Sequence, residues 1–129
     1  MYCGIDIIEV ERVKDAILNT KGFKERIFSK KEIEDIEKSA DKVKYERYAG
    51  RFAAKEAIYK AISKILIQNR KTIEFNEIEV ENVKNLKRRP KVNILNVEID
   101  KILKDYTIDV SISHVESVAT AQCVVDKNS

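Results

Sequence analysis

The stretch KVKYERYAGRFAAKEAIYKAISKIL, from Lys42 to Leu66, has no proline and only one glycine, Gly50. Within it Tyr45, Tyr48, Ala49, Phe52, Ala53, Ala57, Ala61 and Ile65 recur at the period of an α-helix. This predicts one long helix from about Lys42 to Leu66, the main element of the fold. The alanines at 49, 53, 54, 57 and 61 have high helix propensity and almost no side chain, so neighbouring elements can approach the helix backbone closely.

Working outward, Cys3, Ile5 and Ile7 alternate with other residues as a half-buried strand requires, and Val10, Val13, Ile17 and Leu18 then follow at helical spacing. Ser29 followed by Glu32 is a capping-box signature, with Ile33 and Ile36 supplying the apolar positions of a short helix. Beyond the main helix, Glu77 to Val83 alternates, and Val92 to Leu95 offers it a partner after a turn around Lys87-Arg88-Arg89-Pro90, which reads as a hairpin. Val97, Ile99, Ile102 and Leu103 suggest a further helix. Ile108 to Ser113 and Val118 to Val125 read as two final strands joined through His114 to Ser117. The expected class is α+β, an antiparallel sheet packed against one long helix and shorter helices.

At 129 residues, with three glycines, one proline and no linker, repeat or low-complexity tract, the chain is expected to form a single domain over 1–129. That length supports a core without disulfides or a structural metal. The two cysteines, Cys3 and Cys123, lie in apolar runs at opposite ends without metal-ligand spacing and are expected to be buried free thiols. This points to a cytoplasmic protein. No apolar stretch approaches the length of a membrane span, and Asp6 interrupts the start, so neither a membrane segment nor a signal peptide is expected. Charged residues make up 36% of the chain, but they nearly balance at a net +3 and are mixed along most segments. A nucleic-acid binder would gather its basic residues on one stripe.

The residues that could carry chemistry begin inside the main helix. With Arg51 as reference, Lys55 lies about 40° round the helix, Tyr59 about 80°, Glu56 about 140° and Lys60 about 180°. One broad face is therefore polar. Read alone, it is a solvated face with a Glu56–Lys60 pair at i,i+4. A second site, Asp6, sits in the apolar run Gly4-Ile5-Asp6-Ile7-Ile8. A strand carboxylate is costly to bury unpaired, so Asp6 lies on an exposed face or has a cation. With Glu56 it could hold a divalent metal whose other positions are filled by water and phosphate, the habit of magnesium.

The arrangement as a whole resembles the phosphopantetheinyl transferases, in particular their small bacterial type. Three ordered blocks carry the resemblance: Gly4-Ile5-Asp6-Ile7-Ile8-Glu9, Gly50-Arg51-Phe52-Ala53-Ala54-Lys55-Glu56-Ala57 with Lys60 following, and Ser111-Ile112-Ser113-His114. They span nearly the whole chain. The resemblance implies a magnesium-dependent enzyme that moves the 4'-phosphopantetheine arm of coenzyme A to a serine of apo acyl carrier protein and releases adenosine 3',5'-bisphosphate. It assigns Asp6 and Glu56 to magnesium, and Arg51, Lys55, Lys60, Arg89, Pro90 and His114 to the coenzyme. Glu56, Lys60 and His114 are its catalytic candidates, with the base left open, and Arg12, Phe23 and Arg26 face the acidic helix of the carrier.

Two departures stand out. Where the family has a glycine-rich loop after the main helix, this chain has Ile62 to Ile67. Where the family's hairpin reads Gly-Lys-Pro, it has Arg88-Arg89-Pro90. The resemblance also implies a homotrimer with active sites between subunits. The sequence itself offers an apolar alternation through Val110, Ile112, Val118 and Val124 that helices can cover on one side only. Two other readings are a small RNA-binding module using Lys87, Arg88 and Arg89, and a catalytically inactive homologue that binds carrier protein. The strands offer almost no aromatics for base stacking, so neither nucleic acid nor a membrane is an expected partner.

Overall fold

The computed structural model describes residues 1–82 and 89–129. The chain begins with strand β1 (Tyr2–Glu9), followed by α1 (Val10–Asn19), α2 (Phe23–Ile27), α3 (Lys30–Glu37) and the long helix α4 (Asp41–Gln68). A 3-10 turn (Phe75–Glu77) then leads into β2 (Ile78–Asn82), β3 (Pro90–Ile94), α5 (Val97–Leu103), β4 (Tyr106–His114) and β5 (Val118–Lys127). The expected class is borne out, with every strand pair antiparallel. The strands form two sheets, β1-β5-β4 and β2-β3. Of the expected hairpin, Val83, Lys87 and Arg88 lie outside the described residues.

Each element forms for a local reason. The Ser29–Glu32 capping box opens α3 as expected, the Ser29 side chain accepting from the Glu32 amide and the Glu32 side chain accepting from the Ser29 amide. Asn96 caps α5 through its Oδ1, which accepts from Ile99 N. Helix α4 runs past Leu66 to Gln68, so the Ile62–Ile67 segment is helix rather than loop. The turn that a glycine would make falls to Arg70, at φ 55°. The sequence reading missed α2, a single turn entered through Gly22 at φ 81°.

The core lies between α4 and the three-stranded sheet. Ala49, Ala53, Ala54, Ala57 and Ala61 are buried on the helix, facing Val110, Ala119, Ala121, Cys123 and Val125 from the sheet. Strand β1 reverses the expected phase. Gly4 is buried with Asp6 and Ile8 half-buried beside it, whereas Ile5 is 66% and Ile7 70% exposed, and Cys3 is exposed rather than buried. The reason is steric. A Cβ at Gly4 would stand 1.9 Å from the Ala57 carbonyl oxygen and 2.9 Å from Ala61 N, so only the bare glycine face can meet α4.

The sheet's outer face carries Cys3, Ile5, Ile7, Thr120, Gln122, Val124, Ser111 and Ser113, by the pairing of β1 with β5 and of β5 with β4. Of the expected apolar alternation, Val110 and Ile112 are on the helix-covered face, because they share a side with Cys123 and Ala121, and Val124 is on the outer one. Among the described residues no helix is long and apolar enough to cross a membrane.

Gly4→Ala is expected to cost about 3 kcal/mol or more, because a backbone carbonyl cannot yield as a side chain would. Gly22→Ala meets no atom within 4 Å and pays only for its positive φ, about 1 kcal/mol. Thermal unfolding of the two variants should separate them clearly. Equal losses would mean that the close approach at Gly4 is not what fixes β1.

Candidate functional site

Gly4 determines where Asp6 lies. Two residues further along the same strand face, the Asp6 side chain meets the same turn of α4, at Lys60, which immediately precedes the Ala61 of the Gly4 contact. There Lys60 Nζ donates to Ile5 O at 2.9 Å and pairs with Asp6 Oδ1 at 3.2 Å. The expected Glu56–Lys60 pair is absent from the ion pairs of the described residues, because Asp6 takes its place. The other oxygen of Asp6, Oδ2, is buried and has no hydrogen-bond partner. Glu56 binds its proton more tightly than an ordinary glutamate, first because it is partly buried and second because the Asp6 charge repels its own, with Lys60 opposing in part.

A half-buried carboxylate facing another, with one oxygen lacking a partner, is an arrangement that a cation would relieve. Asp6 and Glu56 therefore fit a divalent ion. Among the described residues no group of three or more His, Cys, Asp or Glu gathers to hold a metal. Two carboxylates with water and ligand oxygens completing the shell suit magnesium rather than zinc.

The rest of the helix face departs from the solvated picture. Lys55 is fully buried, and its ammonium pairs with Glu32 Oε1 at 2.7 Å while donating to Phe75 O at 2.9 Å and to Ile78 O. Glu32 also accepts from Ser29 N and from Val80 N, each at 2.8 Å. Burial lowers the proton affinity of Lys55, and Glu32 offsets it in part. Lys55, which the resemblance assigns to the coenzyme, has its ammonium engaged inside the protein. Its donors are turned inward, where they tie α4 to α3 and to the start of the two-stranded sheet.

Arg51 is buried as well. Its Nη2 pairs with Asp35 Oδ2 at 2.8 Å, Arg47 pairs with the same oxygen at 2.8 Å, and Arg51 Nη1 is buried without a partner. Burial pushes the Asp35 carboxyl up, but Arg51 and Arg47 outweigh this and hold it below the usual range. Arg51 and Asn82 line two neighbouring cavities. One, of about 240 Å³, is bounded by α3 and β2 and includes Glu32, Asp35 and Glu79. The other, of about 190 Å³, is bounded by Arg47, Gly50, Pro90, Ile112 and His114. Pro90 and His114 thus line one cavity with Arg51, whereas Arg89 points elsewhere and pairs with Asp109 at 2.5 Å. Asp6, Glu56 and Lys60 line neither cavity. From Glu46 to Lys60, α4 lays out these groups along about 21 Å.

Arg12 and Arg26 are exposed, while Phe23 is half-buried and stacked on Phe52 with ring centroids 6.2 Å apart. The sequence reading missed Glu32, Asp35 and Glu46, the anionic partners of Lys55, Arg51 and His114. The capping box was the only signal among them, and it marked Glu32 as a cap without naming its cation.

A family model described as the 4'-phosphopantetheinyl transferase superfamily matches residues 2–121. The chain belongs to this family. It is 39% identical over 126 residues, 95% of each chain, to the holo-[acyl-carrier-protein] synthase of Fusobacterium nucleatum, and 39% identical over 123 residues to that of Clostridium tetani, covering 95% of this chain and 93% of the relative. Among solved structures, the holo-(acyl-carrier-protein) synthase of Bacillus anthracis in complex with CoA (3',5'-ADP) superposes with a TM-score of 0.75 at 30% identity, covering 99% of this chain and 96% of that one. The Chronobacterium ammoniagenes ACPS–CoA complex gives a TM-score of 0.82 at 27% identity, covering 98% and 97%. The chain is accordingly an enzyme of the holo-[acyl-carrier-protein] synthase type.

Lys55→Met should destabilise the protein by about 3–5 kcal/mol in urea unfolding, since it leaves the Glu32 carboxylate buried without its cation. Below its melting point the variant should keep the wild-type Michaelis constant for coenzyme A. A raised constant with unchanged stability would return Lys55 to the coenzyme.

Proposed function

We propose that this enzyme transfers 4'-phosphopantetheine from coenzyme A to a serine of apo acyl carrier protein, with magnesium held by Asp6 and Glu56, and releases adenosine 3',5'-bisphosphate. The observation that carries the reading is the buried, unpartnered Oδ2 of Asp6 facing a Glu56 whose acidity Asp6 itself weakens. The relatives named as holo-[acyl-carrier-protein] synthases, and the CoA complexes among the similar structures, support it.

In the reaction the serine oxygen forms a bond to the phosphorus that carries the pantetheine. The bridging P–O bond of the pyrophosphate breaks, and its electron pair stays with the 5'-phosphate of the leaving nucleotide. Magnesium, when bound, supplies charge neutralisation on the pyrophosphate. Phosphoryl transfer asks the protein chiefly for position and for cations where charge develops. Lys60, held by Ile5 O and Asp6 Oδ1, keeps one N–H for a phosphate oxygen. Arg51 offers its unpartnered Nη1 to another, and His114, in the same cavity, can donate to a third. Glu56, directly or through a water, accepts the serine proton.

The carrier docks on the segment after β1, where Arg12 and Arg26 meet its acidic groups and Phe23 its apolar ones. The active form is a homotrimer, a reading supported by the exposed Ile5 and Ile7 and by Val124 beside them on the outer sheet face. Its clefts lie between subunits, in the cytoplasm, where both cysteines stay unpaired.

Incubation with coenzyme A, magnesium and apo carrier protein should add the phosphopantetheine mass to the carrier, and excess chelator should stop the transfer. Glu56→Gln and Asp6→Asn should each lower turnover by about 100-fold or more, with stability unchanged or raised, since each removes one of two repelling charges. The active species should sediment as three chains. Full turnover in chelator, or in both variants, would remove the metal from the mechanism, and a fully active monomer would remove the trimer.

Arg12→Glu should raise the Michaelis constant for the carrier about tenfold at low salt and leave that for coenzyme A unchanged. The gap from wild type should close as salt screens surface charges over about 8–10 Å. An unchanged carrier constant would move the docking surface elsewhere.

A further inference from the structure

Glu46 has no part in the chemistry described so far, yet its Oε1 lies 2.5 Å from Nδ1 of His114, 68 positions away. Gly50, one turn beyond Glu46 on α4, lies beneath the same ring. A Cβ there would stand 3.6 Å from His114 Cδ2 and 3.3 Å from Ile112 Cγ2. The helix thus presents to the imidazole a carboxylate at 46 and bare backbone at 50, neighbours at i,i+4 on one face. The carboxylate has no proton to give, so Nδ1 carries the hydrogen and donates it. Nε2 is left without a hydrogen-bond partner among the described residues, beside the cavity that His114 shares with Arg47, Arg51 and Pro90.

We propose that Glu46 is a positioning residue for coenzyme binding: by accepting the Nδ1 proton it fixes the tautomer and orientation of His114, so that Nε2 is the nitrogen that meets a phosphate oxygen in the Arg51 cavity. This rests on the reading of that cavity as part of the coenzyme site. An imidazole protonated only at Nδ1 turns a lone pair toward an anionic oxygen, so phosphate binding brings a second proton onto Nε2, and Glu46 balances the imidazolium that results. The charged groups around the ring are Glu46, Arg47 and Arg51, all from α4. Pro90 of β3 and Ile112 of β4 add none, and Glu116 stands exposed in the turn beyond. A tie serving only to hold β4 against α4 would affect stability and leave the choice of tautomer without consequence for the coenzyme.

His114 is the only histidine, so the imidazole nitrogen resonances of the 15N-histidine-labelled enzyme belong to it alone. In the free enzyme, at a pH where the ring is neutral, Nδ1 should be protonated and Nε2 bare. At neutral pH, saturation with coenzyme A should protonate both. Glu46→Ala should populate the Nε2–H tautomer and raise the Michaelis constant for coenzyme A about tenfold, with the carrier constant unchanged. Glu46→Gln, whose amide oxygen can accept the same hydrogen bond, should recover much of both and controls for folding. An Nε2–H tautomer in the free wild-type enzyme, or a Glu46→Ala variant with both tautomer and coenzyme constant unchanged, would overturn the role of Glu46. A ring whose spectrum does not respond to coenzyme A while Nδ1 stays protonated would instead overturn the cavity as a coenzyme site.

Discussion

The contact between Gly4 and the backbone of α4 at Ala57 and Ala61 is the constraint on which the other features depend. No side chain fits between them, so β1 can meet the helix in only one phase. That phase brings Asp6 to the Glu56–Lys60 turn and sends Ile5 and Ile7 to the opposite side of the sheet. The candidate metal ligands and the exposed apolar band are two consequences of one missing Cβ. The alanines of α4 allow the approach, and a bulkier residue at any of them would move the strand and Asp6 with it.

A second constraint is the buried pair of Lys55 and Glu32. Two charges taken from water are expensive, and such a pair is tolerable only when its remaining donors and acceptors are satisfied. Here Lys55 Nζ also reaches Phe75 O and Ile78 O, while Glu32 accepts two amides. The pair therefore does little for net stability but fixes how α3 and the two-stranded sheet join α4, which shapes the cavity that Glu32 and Arg51 line. Adjacent residues thus take opposite tasks. Lys55 is turned into the core, and Glu56 is left at its edge beside Asp6.

Helix α4 also acts as a ruler. Glu46, Arg51, Glu56 and Lys60 occupy successive turns, and the partners that define their roles, His114, Asp35 and Asp6, come from three other elements. An extended ligand with several phosphates suits such a row better than a compact one does, because each group is held by a partner of its own.

The sequence by itself determined the elements whose signals are local. Helical period without proline set α4, the Ser29–Glu32 spacing set the start of α3, and alternation set β4 and β5. It also determined the family, since the three blocks hold their order along the chain. Only the tertiary structure decided which face of β1 is covered, that Lys55 faces inward, that Arg89 turns to Asp109, and that Glu46 holds His114. Alternation with period two defines two faces of a strand equally well and does not say which one a helix will cover. A charged residue on a helix likewise gives no sign of a partner tens of residues away, because that pairing exists only once the chain has folded back on itself.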